Sequence, residues 1–401
     1  MAGKKRRRPG GHPAKIAARR ERDERRAGGR QELNEASVRG IAERFASLKD
    51  AISVELNASG LLGTIYPEEI GEGDNPEKLE EETFLPLVDA LGKLGDEPAL
   101  AALWALGEVS STNVGVEAVA AVDRLRERDI KAPAWGHDLQ AGELVRAAEM
   151  HEPIFDDGFD ALLEFEHGGA RSVVAVAIDN NFGGVARGIY LAESIDQLAE
   201  IAERRAAEEG GELRMQVVDV EQGEVAGRIL HAIAAADRMV DFRPDENFRS
   251  LRSLARHRAF CAVGLKIGDE RLVEALSDEE LGDILDKFVA SEPAAQLAGV
   301  VEGEAVRSHA SLALTFSTYQ TANDVLCWSP VKLEHFMLGW LPAKMPGGTE
   351  KLKDMPAVLK ALVEFAGRQR AVPETLLAEC ANRVDAVAPK MFDLLDAPGS
   401  D

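Results

Sequence analysis

Between residues 159 and 191 three short apolar blocks follow one another: Phe159 to Glu166 (FDALLEFE), Ser172 to Ile178 (SVVAVAI) and Val185 to Leu191 (VARGIYL). Each is bounded by Gly, Asn and Asp clusters, and the connectors 167–171 and 179–184 have hairpin lengths. This block constrains the fold more than any other feature, because most of the chain around it carries the three-and-four spacing of helices. Val173, Val174, Val176 and Ile178 alternate only with Ala175 and Ala177, which predicts a strand covered on both faces. Ser194 followed by Gln197 predicts a capping box that opens a helix through Ala207, and Leu213 to Val220 (LRMQVVDV) reads as a further strand.

The flanks read as helix. Val38, Ile41, Ala42, Phe45, Leu48, Ile52 and Leu56 predict one amphipathic helix, ended by Gly60 and Gly63. The acidic stretch Pro67 to Glu82 predicts a loop before another helix. Helices over 98–109 and 114–128 should pair antiparallel, with Leu100, Leu103, Trp104 and Leu106 facing Val116, Val119, Val122 and Leu125. Further on, Ser277 and Glu280 predict a capping box. Ser329 predicts an N-cap with Pro330 at the first helical position, and Leu333, Phe336, Met337, Trp340 and Leu341 form an apolar stripe that reads as core. Pro342 should close that helix, and two more follow over 356–369 and 373–395. The expected fold class is α+β, multidomain and mainly helical, with a small central antiparallel sheet module. The expected division is a disordered basic arm over 1–30, a helical N-terminal domain over 31–131, an α+β module over 132–236 and a helical C-terminal domain over 237–401.

The formal net charge of −23 hides a strong asymmetry. Residues 1–30 hold twelve Lys or Arg against three acids, a net +9, while the remaining 371 residues carry −32. The basic residues Lys4, Lys5, Arg6, Arg7, Arg8, Arg19, Arg20, Arg22, Arg25 and Arg26 form an electrostatic footprint for nucleic acid or another polyanion. No aromatic is interleaved with them, so contact would be to phosphates and not to bases. The plainer readings are a tail that neutralises the acidic body intramolecularly, or one tolerated without function; another protein is the alternative partner. The longest apolar runs, such as 99–106 and 173–178, fall well short of the roughly 20 residues that span a bilayer. No apolar leader segment precedes the body. Cys261, Cys327 and Cys380 are odd in number and far apart, with no CxxC spacing. A cytoplasmic protein without membrane contact is therefore expected.

Candidate chemistry is sparse. Asp179, Asn180 and Asn181, in the run Asp179 to Gly184 (DNNFGG), can bind a cation or orient a small ligand, yet Asn, Asp and Gly are also what a tight connection requires. Asp179 follows a strand apolar on both faces, so burial should raise its pKa. His137, His151 and His167 lie near Glu152, Asp156 and Asp157 in sequence, but no HExxH, HxH or i, i+4 histidine pair exists, and no metal site is expected. There is no GxSxG elbow, phosphate-binding GxxxxGK loop or kinase signature, so no catalytic residue and no cofactor is assigned. GGVARG at 183–188 sits within a hairpin, without the helix N-terminus that would hold phosphate. Cys261 lies beside Arg256, His257 and Arg258 but on an apolar run, and reads as a buried, inert thiol.

Within residues 132–191, the segments APAW, FDDGFDALLEFEH and SVVAVAIDNNFGGVARGIYL resemble an uncharacterised actinobacterial protein family. CWSPVKLEHFMLGWLPAKM at 327–345 is similar to another stretch of those proteins. The resemblance implies a bacterial, cytoplasmic setting and implies no activity. The functional expectation is a non-enzymatic macromolecular-interaction protein that contacts nucleic-acid phosphates through its arm. The alternative is an enzyme or small-ligand binder with a site around 179–184.

Overall fold

The computed structural model describes residues 34–71, 73–140, 142–209, 215–240, 243, 246–263 and 276–396. Where the sequence predicts one helix from Val38 to Leu56, there are two, α1 (Glu35–Ser47) and α2 (Ala51–Gly63). The break occurs because Asp50 turns its carboxylate onto the Ser53 N–H at 2.8 Å and caps a new helix. Asn75 and Pro76 open α3 (Pro76–Leu94), and Gly95, at φ +61°, ends it. Next come α4 (Glu97–Val109) and α5 (Asn113–Arg126), packed together as expected, with α4 buried along most of its length. The contact face of α5 differs in part from the expected one. It buries Val114, Ala118, Ala121, Val122 and Leu125; Val116 is 53% exposed, and Val119, 46% exposed, lies over Gly107 of α4. Gly115 sets that rotation: a Cβ there would lie 2.2 Å from the Ser110 carbonyl, so this side of the helix meets α4.

A short α6 (Gly136–Gln140) leads into a five-stranded antiparallel sheet of β1 (Glu143–His151), β2 (Gly158–His167), β3 (Ala170–Asp179), β4 (Val185–Ala192) and β5 (Gln216–Asp219), in the order β4-β3-β2-β1-β5. The mainly helical α+β class is thus as the sequence predicts. The sequence reading has no strand at β1, whose Glu143, Arg146 and Glu149 recur every third residue like a helix surface. Both faces of β3 are covered. Val174 and Val176 pack with Leu163 and Phe165 in one core, while Val173 and Ala175 share a second with Leu162 and Ala148. Ile195 and Leu198 of α7 (Ile195–Glu209) close the second face. The first lies under α8 (Gln222–Arg238) and α9 (Glu246–Val263), through residues such as Ile229, Ile233, Phe248 and Ala255. Ser194 accepts from the Gln197 N–H at 3.1 Å, half of the expected capping box.

The C-terminal helices are α10 (Asp278–Val289), α11 (Glu292–Ala295), α12 (Gly303–Gln320), α13 (Pro330–Glu334), α14 (Leu341–Lys344), α15 (Thr349–Leu352), α16 (Met355–Gln369) and α17 (Glu374–Asp396). The Ser277–Glu280 capping box and the Ser329 cap both form. Trp328, Phe336 and Met337 are core, and the Phe316 and Phe336 rings lie 5.2 Å apart. Pro342 does not close its helix. A π-helical stretch, His335–Trp340, joins α13 to α14, and the Leu341 N–H bonds to the Phe336 carbonyl five residues back. Pro342 then lies in α14 directly after the widened turn, and the helix runs on to Lys344.

Helix α9 belongs to the sheet-side core and also packs against α2. It crosses α2 so closely that a Cβ on Gly63 would sit 2.2 Å from the Arg249 carbonyl. Its arginines tie the layers together. Arg258 donates to Glu55 at 2.7 Å and to the Ser172 hydroxyl at 2.9 Å, all three being buried. Arg256 reaches Glu77 at 2.7 Å, and Arg252 pairs with Asp237, which also accepts from the Tyr66 hydroxyl at 2.8 Å. Burial pushes the Glu55 carboxyl up, but Arg258, with His167 and His257 beyond it, draws it below the ordinary carboxylate range.

Two substitutions test this architecture. Val176→Asp places an unpaired charge between the covered faces and should abolish soluble folding, read as loss of soluble protein; a stable variant would show the strand to be uncovered. Glu55→Gln leaves the Arg258 charge buried and should cost about 3–5 kcal/mol in denaturant unfolding. A loss under about 1 kcal/mol, the range of an exposed pair, would refute the buried pairing.

Candidate functional site

The DNNFGG run joins β3 to β4. Asp179 accepts from the Asn181 N–H at 2.9 Å, a 3-10 turn spans Asn180–Phe182, and Gly183 and Gly184 both sit at φ +75°. This is local turn chemistry: a carboxylate that mimics the backbone, followed by two residues in the left-handed region. The other Asp179 oxygen accepts from Arg187 at 2.8 Å, and the Arg187 guanidinium stacks 5.1 Å from the Phe182 ring centre.

The turn faces inward, with Asn180 and Asn181 buried. The Asn180 N–H donates to the Asp157 carbonyl at 2.9 Å, and its side-chain amide donates to the Asp156 carbonyl at 3.0 Å. The Asn181 amide donates to the Asp157 carboxylate at 2.8 Å. The connection between α12 and α13 meets the same groups from the other side. The Ala322 N–H donates to the Asn180 carbonyl at 2.8 Å, Asn323 to the Asp156 carbonyl at 3.1 Å, and the Ser329 hydroxyl to Asp157. His335 bonds the Asn181 carbonyl through Nδ1 at 3.1 Å, which requires the proton on Nδ1, and its ring lies 4.3 Å from that of Phe182. Arg370, just after α16, donates to the carbonyls of Pro153 and Ile154 and to Asp324. Asp179, Asn180 and Asn181 are therefore brought together, as parts of a polar joint between the sheet and the C-terminal helices.

Several titratable groups in this joint are displaced from their ordinary behaviour. Burial raises the Asp179 carboxyl, with Arg187 opposing, in the direction expected from sequence. Burial also raises Asp156, against His151 and Arg370, and the residue holds φ +50°, uncommon outside glycine. Lys332, 0% exposed, donates to the Asn323 side-chain oxygen at 2.8 Å, and burial lowers its amine to about 7. Burial lowers His335 too, and raises the Cys327 thiol to about 12.

Asn323, Lys332 and His335 carry no site expectation from the sequence, where Asp156 and Asp157 appear only beside the histidines and Ser329 only as a helix cap. The available signal was Ser329-x-x-Lys332 at a helix start, a spacing that places a nucleophile beside its base in some acyl-transfer enzymes. Here the Ser329 hydroxyl donates to Asp157 and accepts from the Lys332 backbone N–H at 3.0 Å, while the Lys332 amine turns to Asn323, so no hydrogen bond joins hydroxyl to amine.

The remaining candidates separate. Among the described residues no group of three or more His, Cys, Asp or Glu is placed to hold a metal ion. His137 is solvated, while His167 is buried 3.7 Å from Glu55. Cys261 is exposed and not buried as expected, because it lies on the outer side of α9 from Ala259 and Ala262. Desolvation of its sulfur, with Glu108 and Glu55 nearby, raises the thiol to about 11, which disfavours the nucleophilic thiolate. The arm residues Lys4 to Arg8 and Arg19 to Arg26 lie outside the described residues. No described helix is long and apolar enough to cross a membrane. No family model matches the chain, and no curated protein or solved structure matches it.

The joint distinguishes charge from shape. Asp179→Asn preserves the turn acceptor and should change stability by less than about 1 kcal/mol. Asn181→Asp sets a second carboxylate against Asp157 and should cost about 2–4 kcal/mol in denaturant unfolding. The reverse order of effects would show that the Asp179 charge, and not the turn, is what the loop requires.

Proposed function

We propose that this chain is a non-enzymatic macromolecular-interaction protein of the cytoplasm that contacts the phosphates of nucleic acid, or of another polyanion, through its basic arm. The observation that carries this reading is the separation of charge: +9 over residues 1–30 against −32 over the rest. Such an arm gains its binding free energy by displacing condensed counterions, a contribution that depends on phosphate density and not on base identity. The acidic body repels the same polyanion, and a Debye length of about 10 Å at 0.1 M salt limits that repulsion to its vicinity. The alternative of a ligand site at Asp179, Asn180 and Asn181 is weakened by their hydrogen bonds, which are made within the fold.

Salt titration of the full chain on duplex DNA and on RNA tests the proposal. An arm engaging about five phosphates should give a slope of roughly −4.5 in log K against log salt on DNA, from about 0.9 per phosphate. Affinity should not vary with base sequence. It should vanish when Lys4, Lys5, Arg6, Arg7, Arg8, Arg19, Arg20, Arg22, Arg25 and Arg26 are changed to Gln. No binding to either nucleic acid at about 50 mM salt, where phosphate contacts are strong, would overturn the nucleic-acid reading.

A further inference from the structure

We propose that Lys332 makes the joint between the sheet loops and the C-terminal helices a pH-sensitive contact, one that tightens as pH rises above neutrality. The geometry is that of an amine enclosed without a counter-ion. Lys332 is fully buried, its Nζ lies 5.2 Å from the Trp328 ring centre, and it donates to Asn323, itself bonded across the joint to Asp156. Among the described residues Nζ makes no salt bridge. A buried ammonium in such surroundings is unfavourable, and releasing its proton removes the penalty.

The surrounding charges come from each element at the joint. The sheet contributes Asp156 and Asp157 from the connection between β1 and β2, Asp179 at the end of β3 and Arg187 in β4. The connection before α13 contributes Asp324 and the Cys327 thiol, and Arg370 approaches from the end of α16. On the far side, Cys380 and Arg383 of α17 face Trp328 and Glu334, while α12 presents Phe316 to His335. Asp157 and Asp324 favour the charged amine and Arg370 opposes it, but burial is the largest influence.

Opening the joint would return Lys332 to water, where it holds its proton to a pH near 10. Between pH 7, where the closed form releases that proton, and about pH 10, opening takes up one proton. The opening constant therefore falls about tenfold per pH unit in that interval and is level below it. His335 is also held neutral on the same helical rod, so its protonation adds to opening only at more acidic pH.

Amide hydrogen exchange of the full chain reads this directly. Intrinsic exchange accelerates about tenfold per pH unit, so cross-joint amides such as that of Ala322 should exchange at a nearly constant rate from pH 7 to 9.5. Amides elsewhere should speed up across the same range. In Lys332→Met, Ala322 should recover the tenfold rise. A tenfold rise at Ala322 in the unaltered chain would overturn the proposal, as would an unchanged flat profile in the variant. Should Lys332→Met fail to fold, carbon NMR of side-chain-labelled lysines in the unaltered chain decides. One lysine titrating near pH 7 supports the proposal, and all lysines titrating near 10 defeats it.

Discussion

A carboxylate with no access to water must find a cation or lose its charge, and Glu55 meets that requirement through Arg258. The pair fixes more than its own geometry. Glu55 comes from α2, Arg258 from α9 and the Ser172 hydroxyl from β3, so one ionic contact holds the N-terminal helices and the sheet in a single register. His167 extends the cluster toward Gly142, where a Cβ would fall 2.3 Å from its ring nitrogen. The chain enters β1 beside that imidazole because residue 142 has no side chain. Apolar contacts supply the bulk of the burial around α9, but they tolerate sliding. The fork of a guanidinium on a carboxylate does not.

The second junction works by different means. The C-terminal core is largely its own, with Phe155 and Ile154 entering from the connection between β1 and β2. What meets the DNNFGG turn is mostly backbone carbonyls, amides and hydroxyls, in place of a continuous greasy seam. Hydrogen bonds of this kind add little net stability when made and cost more when left unmade, so they specify one docking geometry. Asp156 in a left-handed conformation fits the same account: it turns one carbonyl so that both Asn180 and Asn323 can donate to it.

Much of this fold is legible in the sequence where local chemistry decides. The strands from Gly158 to Ala192, the Ser277 and Ser329 caps and the core role of Trp328 and Phe336 follow from spacing and turn residues. The failures lie where a local cap or a tertiary contact overrides the periodic pattern. Asp50 divides a periodic run that looks continuous, β1 carries its charges at helical intervals, and Gly115 rotates α5 so that Val116 faces water. The joint was half visible. Asp179 to Gly184 announced a turn, but the helical segment that covers it lies some 140 residues further on, and nothing local records which distant serine, lysine and histidine complete it.

The π-helical stretch His335–Trp340 can also be viewed as a change of phase. A residue advances an α-helix by about 100°, and a π turn accommodates one extra residue in the same rise, so side chains after it are rotated relative to those before. Lys332 and His335 precede or begin the stretch and take up polar partners, Asn323 and the Asn181 carbonyl, while Leu333, Phe336, Met337 and Leu341 all enter the C-terminal core. Past the widened turn, Leu341 still reaches the core that Leu333 enters before it. A single rod thus addresses a polar neighbour along one face and an apolar one along another.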